Sequence, residues 1–261
     1  MEKTWTIISK EWAEVFKNRL VLFTVIFLPL IFLALPLITL AMMSGIEGDS
    51  IGLGDEFGLN DAACVGLTEG ECVQVNMLDI FTLLFMILPI SIPVTIAAYS
   101  IVGEKTNHSL EPLLATPITT VELLAGKGLA AAVPATIATW VSFLLYLIGV
   151  WTMTSPAVFN HLLDPLWLVA VFVVGPLLTI LAVCTAIIVS SRVTDPRVAE
   201  QLSAVVILPI ILLLVGQSMG LIILDRRIIV LGALVVAVAD VLLLFVAKQA
   251  FQREIILTKW K

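Results

Sequence analysis

The chain has 261 residues, of which 60% are apolar and 13% charged, and its mean hydropathy is +1.12. Soluble globular domains run at about 45–50% apolar and about 25% charged, so this balance excludes a soluble fold and predicts an all-α membrane protein. The net charge of −6 does not point to a basic partner, because it is concentrated in one loop.

The first element is predicted over about residues 4–17, "TWTIISKEWAEVFK". On a helix, Trp5, Ile8, Trp12, Val15 and Phe16 fall within an arc of about 100°, with Lys10, Glu14 and Lys17 opposite and Ile7 off the pattern. Such a helix is expected to lie in the membrane interface, its Trp rings at headgroup level. Lys17, Asn18 and Arg19 separate it from six apolar runs, at about 20–43, 78–102, 128–151, 165–190, 202–224 and 228–247. Each is long enough to cross a bilayer, for which roughly 20 residues are needed. The first run starts too far in, and lacks the small-residue site, to be a cleavable signal peptide.

An outer loop is expected over about 44–77. It holds Glu47, Asp49, Asp55, Glu56, Asp61, Glu69 and Glu71 and no Lys or Arg. A solvated loop is the simpler reading, and its spacing matches no calcium-binding loop. Cys64 and Cys72 share this loop, where an oxidising compartment would permit a bridge, and the sequence leaves that pairing open. All but two of the 14 Lys and Arg fall on the other side, the exceptions being Arg226 and Arg227. The positive-inside rule therefore puts both termini in the cytoplasm.

The inner loop 103–127, "GEKTNHSLEPLLATPITTVELLAGK", reads as two helices. Ser109 caps a short one, with Glu111 near its positive end and Pro112 in a first turn whose N–H groups lack partners. Leu110, Leu113 and Leu114 make its apolar stripe, and Thr116-Pro117 ends it. Thr119 and Glu122 then form a capping box for the helix that becomes the third span. Further on, Asp195 is the expected N-cap of the fifth span, with Pro196 at its first position. Prolines 29, 36, 89, 93, 134, 176 and 209 fall inside spans, where membrane helices tolerate them.

Little in the chain suggests catalysis. Gly216-Gln217-Ser218-Met219-Gly220 matches the serine-hydrolase pattern, with His161 as the one base that topology allows, but that pattern needs a strand-to-helix elbow. A G-x-x-x-G helix-packing face is the preferred reading. There is no H-E-x-x-H, no metal-spaced Cys/His set and no phosphate-binding loop, so no metal or nucleotide is expected on this chain. Asp240 is the ionisable residue deepest in a span, and such placement is costly. Thr95, Tyr99 and Gln217 are the other polar groups available to line a path, and Cys184 reads as packing.

The loop 103–127, together with "SSRVTDPRVAEQLSAVVILP", the N-terminal helix and the basic tail, resembles the permeases of type-2 ABC exporters. That resemblance implies that Ser109 to Thr116 form a coupling helix docking on a separate ABC ATPase, which binds ATP and Mg. It makes the segment Trp5 to Phe16 a connecting helix, and residues 1–261 one permease domain in the plasma membrane. Two permease halves, this chain with a second copy or a sister permease, would work together in lipid, with no nucleic acid. The path would run between them along the second and fifth spans, past Thr95, Tyr99 and Gln217. A membrane anchor passing ATPase motion to a partner protein is the alternative, and a serine hydrolase using Ser218 a remote one.

Overall fold

A computed structural model describes residues 2–44, 66–106, 119–222 and 225–250. Among these every regular element is a helix, and six stretches are long and apolar enough to cross a membrane: Val21–Met43, Glu69–Thr106, Val121–Met153, Pro156–Ser190, Pro196–Ser218 and Arg226–Gln249.

Helix α1 (Glu2–Val15) turns at residues 16–18 into α2 (Arg19–Ser44), the first span. The second span is two helices, α3 (Glu69–Phe85) and α4 (Leu88–Thr106). Thr68 and Glu71 cap α3 reciprocally, so residues expected in the outer loop instead extend this span outward. The break falls at Met86 and Ile87, whose N–H groups reach back only three residues, to Leu83 and Leu84. Pro89 follows directly and has no N–H with which to continue the ladder.

The third span is the unbroken α5 (Thr120–Met153), started by the Thr119/Glu122 capping box. Two short helices, α6 (Pro156–Leu162) and α7 (Pro165–Val169), lead into a π-helical turn at Ala170–Val174 and then α8 (Gly175–Ser190). The fifth span comprises α9 (Pro196–Ser203), a 3-10 turn at Ala204–Ile207 and α10 (Leu208–Ser218), and Asp195 accepts the Arg197 N–H as its cap. The sixth is the continuous α11 (Arg226–Ala250). Helices with an interior proline survive intact at Pro29, Pro36, Pro93 and Pro134, whereas Pro89, Pro176 and Pro209 each adjoin a change of helix type.

The second span is the centre. In its most apolar window 72% of residues are buried, against 17% in the first and fifth spans and 6% in the sixth. Helix α4 packs on α8, α5, α9 and α2, and buries Leu88, Ile90, Ile92, Ala98 and Ile101. Beside the break, Phe85 stacks on Tyr146 with ring centroids 5.0 Å apart. At the end away from α1, Ser155 Oγ donates to Glu71 Oε1 at 2.6 Å and His161 Nε2 lies 3.0 Å from Asp79 Oδ1, pinning α6 to α3.

Two sequence readings change. The Gly216/Gly220 pair ends a helix and does not form a packing face between helices: Gly220 has φ 68°, the left-handed value that glycine adopts freely, and Leu221 and Ile222 both donate to the Gly216 carbonyl. A Cβ on Gly216 would lie 2.5 Å from the side chain of Ile222, which folds back over it. In α1, Ile7, Ile8, Glu11 and Val15 are buried, whereas Trp5 is 63% and Phe16 38% exposed. Ile7 packs closely on Gly126 of α5: a Cβ there would lie 2.9 Å from the Ile7 Cβ and 2.8 Å from its Cγ2.

This contact predicts unequal costs for two substitutions of the same size. Gly126→Ala meets a buried, β-branched side chain at its root and should cost about 1–3 kcal/mol, as overpacking does. Gly149→Ala meets only the tip and γ-carbon of the half-buried Leu37, which can turn aside, so it should cost well under about 1 kcal/mol. Thermal unfolding of the two variants in the same detergent checks the order.

Candidate functional site

At the α1 end, three helices converge on a charge cluster. Lys127, one turn after Leu123 on α5, is 4% exposed. Its Nζ lies 2.6 Å from Glu11 Oε1 on α1 and 2.7 Å from Glu104 Oε2 in the last turn of α4. It also donates to Ser100 Oγ at 3.0 Å, and Ser100 in turn donates to Glu11 Oε2. Glu104 Oε1 accepts from Lys10 Nζ at 2.8 Å, and Lys10 lies 3.6 Å from Glu14. Glu11 and Glu104 are 2% and 5% exposed, so two carboxylates and one ammonium leave water together, with Lys10 at the rim. Burial works against the Lys10 ammonium, but the hydrogen bond and charge of Glu104 outweigh it and hold its pKa above the ordinary lysine value.

Neighbouring contacts extend the clamp. Trp12 Nε1 donates to the Ala130 carbonyl at 3.0 Å. Lys105 Nζ donates to the carbonyls of Ser191 and Val193, at 3.3 and 3.1 Å, which ties the end of α4 to the turn between α8 and α9. The last turn of α4 and the first turns of α5 are therefore fixed to α1 and to the start of the fifth span. Those two turns flank residues 107–118. The residues expected to couple to an ATPase, Ser109, Leu110, Glu111, Leu113, Leu114 and Thr116, lie outside the described residues.

The expected path residues are not gathered in one place. Thr95 is buried in α4 and its hydroxyl donates to Glu200 Oε1 on α9, at 2.5 Å, joining the second and fifth spans. Tyr99 is half-buried one turn further along α4, and Gln217 lies near the far end of α10. Asp240 is buried on α11 against α8, away from these. Ser218 donates to the Val215 carbonyl and is exposed, whereas His161 is engaged by Asp79, so the two form no nucleophile–base pair. Cys72 is disulfide-bonded and Cys184 is free and buried, and Cys64 lies outside the described residues.

Sequence reasoning missed Glu11, Ser100, Glu104, Lys127 and Glu200. Glu104, Lys127 and Glu200 stand at the ends of apolar runs, where a charge ordinarily signals a solvated boundary, whereas Ser100 lies inside a run and Glu11 within the N-terminal helix. The usable signal was the surplus: Glu104 and Lys127 bracket one loop with opposite charge, while Glu11 sits on the face that its apolar neighbours bury.

The fold and the cluster define a multi-pass membrane protein in which buried charges join three helices at one end. The sequence model of the ABC-2 family transporter protein matches residues 5–226, and the chain belongs to that family, the permease subunits of type-2 ABC transporters. It is a membrane permease of an ABC transporter and not itself a catalyst, and its family works with an ATP-binding subunit. None of the curated proteins matches the sequence.

Removing one member of a buried ion cluster leaves its partners' charge uncompensated, at a cost of about 3–5 kcal/mol. Lys127→Met should therefore destabilise the protein by that amount. Lys10→Met, at a side chain 40% exposed, should cost about 1 kcal/mol or less. Adding Glu104→Gln to Lys127→Met should recover part of the loss. Unfolding of the three variants in one detergent checks this order.

Proposed function

We propose that this permease exports its substrate across the plasma membrane, driven by ATP that binds with Mg to a separate ABC ATPase and is hydrolysed there. The observation that carries the reading is the clamp around residues 107–118. A segment that receives a push needs stiff attachments, and Glu104 and Lys127 join both of its flanks to α1 through one buried cluster. In this reading Ser109 to Thr116 dock on the ATPase, with Glu111 and the stripe of Leu110, Leu113 and Leu114 in contact. α1 is the connecting helix beside them, and both termini face the cytoplasm. The distribution of Lys and Arg supports that orientation.

ATPase closure would then move the cluster as a unit and tilt the spans fixed to it. The exposed apolar faces of the first, fifth and sixth spans suit lipid and a second permease, either another copy or a sister chain. The substrate path follows the second and fifth spans, where Thr95 and Glu200 already touch and Tyr99 lies one turn away.

Changing both Leu113 and Leu114 to Asp should abolish co-purification of the ATPase while the six-span chain still inserts and melts normally. Undiminished co-purification would remove the coupling role from this loop.

A further inference from the structure

Asp240 is used by none of the interactions described so far. Its side chain is 5% exposed, and neither carboxyl oxygen has a hydrogen-bond partner. It lies in the interior of α11, a helix whose surface is otherwise mostly exposed and apolar; Ala247 is the other buried residue among its described side chains.

The surroundings supply no compensating charge. Helix α8 packs most closely on α11, and its one ionisable side chain is Cys184. The π-helical turn at Ala170–Val174 also touches α11 and carries no ionisable group. On α5, which makes a smaller contact, Lys127 is committed to Glu11 and Glu104, Glu122 to the Thr119 cap, and Tyr146 to the Phe85 stack. On α11 itself, Arg226 and Arg227 stand at one end and Lys248 in the last turn at the other. Among the described residues, no Lys or Arg forms an ion pair with Asp240.

A lone carboxylate at such a site would carry a large desolvation penalty, whereas the neutral acid is far less costly. We propose that Asp240 is a proton-binding site inside the membrane domain: the carboxyl holds a proton in the conformation described, and yields it when α8 and α11 part enough to admit water. The ligand is a proton, and the inference is independent of the coupling reading above, since it involves none of the residues of that cluster and needs no ATPase.

Infrared spectroscopy of the full chain in lipid vesicles tests this directly. The wild type should show the C=O stretch of a protonated carboxylic acid at neutral pH. Asp240→Asn, which is neutral and nearly isosteric, should lack that band while retaining the wild-type melting temperature. Raising the pH should bleach the band, by about tenfold per unit once past the midpoint. Wild-type and variant spectra that coincide in this region would overturn the proposal.

Dicyclohexylcarbodiimide gives a second reading on the same vesicles. The acid's proton passes to a carbodiimide nitrogen as the carboxyl oxygen adds to the central carbon, and the O-acylisourea rearranges to a stable N-acylurea, with nothing oxidised and no group lost. Peptide mapping should place the adduct on Asp240 in preference to Glu11 and Glu104, which are both paired with Lys127. Labelling of those two before Asp240 would count against the assignment.

Discussion

An ammonium group taken out of water must bring its counter-charge with it, and Lys127 does so with two carboxylates inside 2.7 Å. The two come from different helices, and this makes the cluster architectural. Glu11 belongs to a 14-residue helix outside the six apolar stretches, Glu104 to the most enclosed span, and Lys127 to the longest helix among the described residues. None of the three can shift far without stranding a charge in an apolar setting. The fit of Ile7 on Gly126 gives the same junction a steric component, so the orientation of α1 is fixed both by charge and by close packing.

Elsewhere the helices are interrupted, and the interruptions fall near the middles of three spans. The second, fourth and fifth spans each change helix type near their midpoints, at Met86–Ile87, Ala170–Val174 and Ala204–Ile207. In each, a proline just beyond the change withholds an N–H from the ladder. Backbone groups freed in this way bend at little cost when neighbouring helices enclose them, and the 3-10 turn packs on α4.

How much of this was legible in the sequence depended on whether the deciding interaction was local. The six apolar runs, the Thr119/Glu122 box and the Asp195-Pro196 start each depend on residues within a few positions of one another, and the corresponding helices and caps are present. Thr68-x-x-Glu71 was equally local, but its acidic setting disguised it as loop. What could not be read was which residues meet across long separations. Lys127 and Glu104 resemble any charge at a span boundary until a third helix covers them. Ile7 broke the amphipathic pattern because its burial is decided by a glycine on another helix. Gly216 and Gly220 had the spacing of a packing face, yet the following residues, Leu221 and Ile222, fold back on the first glycine and turn the pair into a terminus.

The cluster also imposes an order on biogenesis. Glu11 is made 116 residues before the lysine that neutralises it, and two spans must enter the membrane before that lysine emerges. Until then α1 carries an unpaired acid on its otherwise apolar face, which favours leaving it hydrated at the surface. Helix α1 can therefore complete its docking only once the start of the third span has been made and has brought Lys127 to it.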